Sequence, residues 1–183
     1  MSTANQNIEQ LLKQCNDGNQ RAQLEIYNCY YKAMYNTAIR IVRDSYKAED
    51  IMHESFLTAF SKIDTLKDIS VFGSWLKGIV VNNSIAEYNK NSKENTIALE
   101  SVLYKVEDDY GIAEDDSKSE KVRCILKTIK QLKPNYSLGL TLHLLEGYDY
   151  EEISDIINIS YPNCRTLISR AKESLRHKLS VNI

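Results

Sequence analysis

The sequence predicts an all-α protein built as two small helical domains joined by an acidic linker. Three observations lead there. Only two prolines and six glycines interrupt 183 residues, a composition that suits long helices. Apolar residues recur at three- and four-residue spacing, and no stretch of strand-like alternation is long enough to compete. Between Asn91 and Glu120, nine acids face only Lys93, Lys105 and Lys118, which reads as a solvated connection. The expected boundaries are therefore a helical domain over residues 1–90, a linker over 91–119 and a second helical domain over 120–183. Leu99, Val102, Leu103 and Val106 could form a short helix inside the linker.

Four helices are expected in the first domain. Asn5 to Cys15 is ended by Asn16-Asp17-Gly18. Gln20 to Val42 carries Leu24, Tyr27, Tyr31, Met34, Tyr35, Ala38, Ile41 and Val42 as its core stripe. Asp44 or Ser45 can cap the third helix, whose stripe is Ala48, Ile51, Met52, Ser55, Phe56, Ala59 and Ile63. The fourth starts near Val71 and buries Phe72, Trp75, Leu76, Ile79 and Val80. The second domain begins with a helix from about Glu120 to Leu132, closed before Pro134, which cannot continue a helix. Another is expected from Tyr136 to Glu146.

Residues 147–178 then read as a helix-turn-helix. Asp149 and Glu152 make a capping box. Ile153, Ile156 and Ile157 share a face, and Ser154 is small where a second helix passes closely. Asn158 suits the left-handed conformation that ends a helix. Ile159 fills the corner, Ser160 can cap the next helix, and Pro162 fits its first turn. Cys164, Leu167, Ile168, Ala171, Leu175 and Leu179 form a buried stripe. Asn163, Arg165, Thr166, Ser169, Arg170, Lys172 and Arg176 are left facing outward. A helix with such a face fits the major groove, polar side chains towards base edges and basic ones towards phosphates. An ordinary amphipathic hairpin with a solvated charged face has the same pattern.

Composition narrows the classes further. The net charge is −2, so nucleic-acid binding has to come from a local patch. Arg165, Arg170, Lys172, Arg176 and Lys178 against Glu173 supply one. Cys15, Cys29, Cys124 and Cys164 form no Cys-x-x-Cys pair, as in reduced thiols of a cytoplasmic protein. No signal peptide or long apolar run suggests membrane insertion. Asp50-x-x-His53 has the spacing of half a carboxylate–histidine metal site, but its nearest counterpart, His143-x-x-Glu146, falls in the other predicted domain, so metal binding is not the reading. No metal or cofactor is expected, and no catalytic grouping argues for an enzyme.

Three strings, in order, carry a family resemblance. Ala48-Glu49-Asp50-Ile51-Met52-His53-Glu54-Ser55-Phe56-Leu57 resembles the polymerase-binding helix of sigma factors. Phe72-Gly73-Ser74-Trp75-Leu76, with Asn82 seven residues after Trp75, resembles the start of their promoter-melting helix. Tyr150-Glu151-Glu152-Ile153-Ser154 through Ser169-Arg170-Ala171-Lys172 resembles their DNA-reading hairpin. Together, over roughly residues 20–180, they resemble an extracytoplasmic-function (ECF) sigma factor of the sigma-70 family.

The resemblance implies a mechanism. Residues 1–90 correspond to sigma region 2, which docks on the coiled coil of the largest RNA polymerase subunit and melts the minus-ten element. Residues 120–183 correspond to sigma region 4, which reads the minus-thirty-five element of promoter DNA. Such a protein is a transcription initiation factor rather than an enzyme, often held by an anti-sigma factor. Asp50, His53 and Glu54 stand where the family contacts polymerase, His53 replacing the usual glutamine. Lys77, Asn82, Asn83, Tyr88 and Lys90 fall on the minus-ten helix. Asn163, Arg165, Thr166, Ser169, Arg170 and Lys172 fall on the recognition helix, Asn163 where threonine is common. The melting helix departs from the family pattern, which usually has arginine where Gly78 stands and further arginines near Asn89 and Asn91. That departure favours, as an alternative, a sigma-like protein that binds polymerase or an anti-sigma factor without productive melting. A plain helix-turn-helix regulator acting through residues 120–183 is the third reading.

Overall fold

The computed structural model describes residues 3–97 and 120–181. They form eight α-helices, α1 (Thr3–Asn16), α2 (Gln20–Val42), α3 (Ser45–Ser61), α4 (Phe72–Ile97), α5 (Glu120–Lys130), α6 (Pro134–Leu140), α7 (Tyr150–Ile156) and α8 (Tyr161–Val181). Two 3₁₀ turns, Ile63–Thr65 and Ile69–Val71, join α3 to α4, and a π-helical turn, Thr141–Leu145, extends α6. The chain divides into two compact units, Met1–Tyr110 and Gly111–Ile183. No described helix is long and apolar enough to cross a membrane.

Capping chemistry sets the joints of the first unit. Asn19 Oδ1 accepts from the backbone N–H groups of Arg21 and Ala22, at 3.0 and 3.2 Å, and starts α2. Arg43 ends it in the left-handed conformation, φ 58°, its N–H donating to Ile39. Asp44, not Ser45, caps α3, accepting from the Lys47 N–H at 3.0 Å. Asp68 in turn accepts from the Ser70 N–H and opens the turn before α4.

Helix α2 is the hub of this unit, packing on α1, α3 and α4. Ile26, Met34, Ala38, Ile51, Met52, Phe56, Phe72, Leu76 and Val80 make its core. All seven residues of the α3 stripe are buried as expected. Leu24 of the α2 stripe is not. It is 59% exposed, while Ala22 and Ile26 are buried. Two residues separate Leu24 from each, about 200° around a helix, so the stripe that α1 and α4 cover leaves it outside. Trp75 and Ile79 pack against the core partly buried.

Helix α4 continues to Ile97, past the expected start of the linker at residue 91. Nothing from Asn91 to Ile97 breaks a helix, and Lys93 and Glu94 favour one. The expected short helix over Leu99, Val102, Leu103 and Val106 lies outside the described residues.

In the second unit Pro134 does more than stop α5. It occupies the first turn of α6, where a missing N–H is harmless. The single helix expected over Tyr136–Glu146 is divided, α-helical to Leu140 and π-helical from Thr141. Gly139 marks a close approach, since a Cβ there would lie 2.9 Å from Ile168 Cδ1 and 3.4 Å from Leu167 Cδ2. Leu140, Leu142, Ile153, Cys164, Ile168 and Ala171 are fully or almost fully buried. The capping box on α7 is complete, with Asp149 Oδ1 accepting from the Glu152 N–H and Glu152 Oε2 accepting from the Asp149 N–H, both at 2.8 Å. Asn158 takes φ 54° at the corner. The Ser160 carbonyl then accepts the Cys164 N–H at 2.9 Å as α8 begins.

Two measurements check this packing. Asp149→Ala should lower stability by about 1 kcal/mol through loss of the cap. Gly78→Ala should raise it by about 0.5–1 kcal/mol, because nothing lies within 4 Å of the added Cβ; urea titration reads both. Cys15 and Cys164 are buried while Cys29 and Cys124 are exposed. Burial pushes the Cys15 thiol up to about 11 and raises that of Cys164. Thiolates, not thiols, react, so mass spectrometry after brief alkylation at neutral pH should find Cys29 and Cys124 modified and the buried pair intact.

Candidate functional site

On α3 the buried stripe leaves an opposite face that bears Tyr46, Asp50, His53, Glu54 and Leu57, all exposed. Asp50 and Glu54 are one turn apart, so their carboxylates share a stripe. Tyr46 is 81% and Leu57 70% exposed, which adds apolar area beside the two acids. His53 is not loose on this face. Its Nε2 lies 3.1 Å from the Tyr27 hydroxyl, and the two rings stack with centroids 6.0 Å apart. Tyr27 itself stacks on Tyr31 at 5.6 Å and leans on Phe56 at 4.9 Å. Burial raises the Tyr27 pKa, and Glu49 and Tyr31 add to the rise, so the phenol keeps its proton. The sequence placed Tyr27 in the core; its second role of orienting His53 depends on a neighbouring helix and left no signal in the spacing.

The five residues expected on the melting helix do not share one surface of α4. Asn82 and Lys90 are exposed, whereas Lys77, Asn83 and Tyr88 are half-buried. The Asn83 carboxamide Nδ2 donates to Ser55 Oγ at 3.0 Å, and that hydroxyl donates to the Ile51 carbonyl at 2.6 Å. Asn83 thus ties α4 to α3. An ion pair absent from the sequence reading, Lys47 Nζ to Glu87 Oε1 at 2.6 Å, makes a second tie. It lies 40 residues apart in sequence, beyond any helical spacing rule.

On α8, Asn163, Arg165, Thr166, Ser169, Arg170 and Arg176 are exposed opposite the buried Cys164, Ile168, Ala171 and Leu175. The Thr166 hydroxyl donates back to the Pro162 carbonyl at 2.9 Å, leaving its lone pairs outward as acceptors. Two bases of the expected patch have local partners. Lys178 Nζ donates to the Gln131 carbonyl at 2.9 Å, binding α8 to the end of α5. Lys172 is half-buried, with Nζ 3.1 Å from His143 Nε2 and 3.2 Å from the Tyr150 hydroxyl. His143 and Tyr150 were missed as members of this site because the π-helical turn brings one of them in. A shallow cavity of about 460 Å³ beside them is lined by His143, Asp149, Tyr150, Glu151 and Tyr161. Among the described residues no three His, Cys, Asp or Glu side chains converge as metal ligands do.

Each of the two units carries a match to a known family. Sigma-70 region 2 matches residues 26–94, and Sigma-70 region 4 matches residues 122–175. The chain is 30% identical over 138 residues to the ECF RNA polymerase sigma-E factor of Haemophilus influenzae, covering 71% of this chain and 73% of that one. It is 28% identical over 152 residues to the ECF RNA polymerase sigma factor SigM of Bacillus subtilis, covering 83% and 91%. The fold is shared with the sigma factor RpoE of Bartonella quintana, solved in complex with the anti-sigma factor NepR, at TM-score 0.58 and 21% identity over 87% of this chain and 97% of that one. It is shared too with CnrH, solved with the cytosolic domain of CnrY, at TM-score 0.56 and 17% identity over 97% and 99%. Both regions occur in family order in a chain with this helical fold, and the chain belongs to the ECF subfamily of sigma-70 transcription initiation factors.

Proposed function

We propose that the α3 face docks on RNA polymerase core and that α8 reads the minus-thirty-five element of the promoter. The observation that carries the second assignment is the exposed row Asn163, Arg165, Thr166, Ser169 and Arg170, backed by the buried Cys164, Ile168, Ala171 and Leu175 with Leu167 and Leu179 half-buried. Arginines on such a face contact phosphates and guanine edges, and the shorter polar groups near the helix start reach bases. Asp50 and Glu54 present paired carboxylates to a basic coiled coil, with Leu57 and Tyr46 supplying apolar contact. His53, oriented by Tyr27, adds a hydrogen-bonding group between them. For the minus-ten element, Asn82 and Lys90 are the outward groups of α4, with Lys77 and Tyr88 on its half-buried flank. We extend to this chain an anti-sigma partner of the kind named with the RpoE structure.

A second reading has its own observation. Asn83 is turned to Ser55, Glu87 is paired with Lys47, and Gly78 and Asn89 offer no charge. A helix with few outward cations gains little from counterion release on single-stranded DNA, which favours a sigma-like protein that binds polymerase without opening promoters itself. Gly78→Arg with Asn89→Arg separates the two. If wild-type holoenzyme melts promoter DNA as well as the variant, by permanganate footprinting, the second reading fails.

Two expected outcomes test the main reading. Asp50→Ala with Glu54→Ala should abolish co-purification of polymerase subunits while leaving the thermal transition intact; retention of polymerase would rule out α3 as the dock. Arg165→Ala and Arg170→Ala should each weaken duplex binding and flatten the log–log salt slope by about 0.9. An unchanged slope contradicts phosphate contact by that arginine. In reconstituted transcription, absence of any promoter-specific transcript with core polymerase across genomic fragments would count against promoter recognition altogether.

A further inference from the structure

Lys172 lies on the flank of the recognition helix, yet its ammonium is held within its own domain. His143 reaches it from the π-helical turn and Tyr150 from the start of α7. The Lys172 ammonium also sits 5.6 Å from the Tyr150 ring centroid, and the His143 and Tyr150 rings are 4.9 Å apart. The protonation state of His143 follows from its two partners. Nδ1 lies 3.0 Å from the Tyr148 carbonyl, which can only accept, so Nδ1 carries the proton. Nε2 lies 3.1 Å from the Lys172 ammonium, which can only donate, so Nε2 is bare. Both bonds together require the neutral imidazole with hydrogen on Nδ1.

We propose that His143 is a positioning residue for Lys172: neutral, it holds the ammonium at the α7–α8 junction, and protonated, it releases Lys172 to DNA phosphate. This rests on the reading that α8 engages duplex DNA. A second proton on His143 removes the acceptor and places two cations about 3 Å apart, a repulsion that a half-buried site screens poorly. Histidine is the side chain suited to change charge over roughly pH 5–8. Other titratable groups face the site. Asp149 and Glu151 from α7 line the same cavity as His143, as does Tyr161 from α8. Within the His143 segment, Glu146 is buried nearby and the Tyr148 phenol is raised by burial, Glu146 and Glu152. The only titratable residue of α6, Tyr136, packs on the core with Ile129 and Leu132. Without the bond to His143 the four-carbon stem of Lys172 can swing outward beside Arg165, Ser169 and Arg176, which lie on the same flank at helical spacing.

The test uses the full chain carrying His53→Gln and His177→Gln, so that His143 is the last of its three histidines, and a fluorescein-labelled 30-base-pair random-sequence duplex. Between about pH 8 and pH 6 the affinity should rise and the log–log salt slope should steepen by about 0.9, one added phosphate contact. Adding His143→Ala should give the steeper slope already at pH 8 and remove the pH response. Adding Lys172→Ala should give the shallow slope at both pH values. A His143→Ala slope at pH 8 equal to that of the background, or a pH response that survives Lys172→Ala, overturns the proposal. If His143→Ala does not fold, His143→Gln keeps an acceptor and should stay shallow and insensitive to pH; a residual response overturns the proposal equally. Long-range ¹H–¹⁵N NMR of the background protein at pH 8, without DNA, should find Nδ1 protonated, and a proton on Nε2 contradicts the inference directly. Arg165→Ala in the same assay separates the failures. If it too leaves the salt slope unchanged, the DNA-binding reading of α8 has failed, whereas a flattened slope with an inert His143→Ala defeats only the present inference.

Discussion

Among the described helices, the stripe that has to be buried decides which residues face outward. At 100° per residue, covering one side of a helix decides what the other side shows. On α8, burial of Cys164, Ile168, Ala171 and Leu175 leaves Arg165, Thr166, Ser169 and Arg170 outward. On α3, burial of Ala48, Ile51, Met52, Ser55, Phe56 and Ala59 leaves Asp50, His53 and Glu54 outward. These outward residues make few of the contacts that hold the fold, and the fold nonetheless fixes their direction.

The two outward faces differ in how much the neighbouring structure constrains them. Arg165 and Arg170 project from a helix that Gly139 lets approach α6 closely. His53 and Lys172 are instead held by side chains from other segments, Tyr27 in one case and His143 with Tyr150 in the other. A group held at one end by a neutral hydrogen bond loses less entropy when it binds, provided that the held position is the useful one. For His53 the held position lies on the exposed face with Asp50 and Glu54. For Lys172 it faces the α7–α8 junction, and a protonation step is what would change it.

Helix α4 shows most openly how packing takes up polar residues. It ties the first unit together, through Asn83 to Ser55 and Glu87 to Lys47. Polar residues that look available in the sequence serve helix–helix contacts in the structure. Asn82 and Lys90 remain outward because their positions fall on the side of α4 away from Val80, Ser84 and Ile85.

By itself the sequence determined the helical class, the capping box at Asp149, the left-handed corner at Asn158 and the stripes of α3 and α8. These are local matters, governed by residues three or four apart along one helix. The family was legible for a related reason, since its marks are short strings within single helices. The tertiary structure alone decided that Leu24 lies outside, that Tyr27 orients His53, that Lys47 pairs with Glu87 and that Lys172 is held by His143. Each of these depends on two segments distant in sequence coming together, and a hydrophobic period on one helix carries no information about which partner will cover it. The π-helical turn at Thr141–Leu145 belongs with them, because the ladder that places His143 against α8 has no signature in residue spacing.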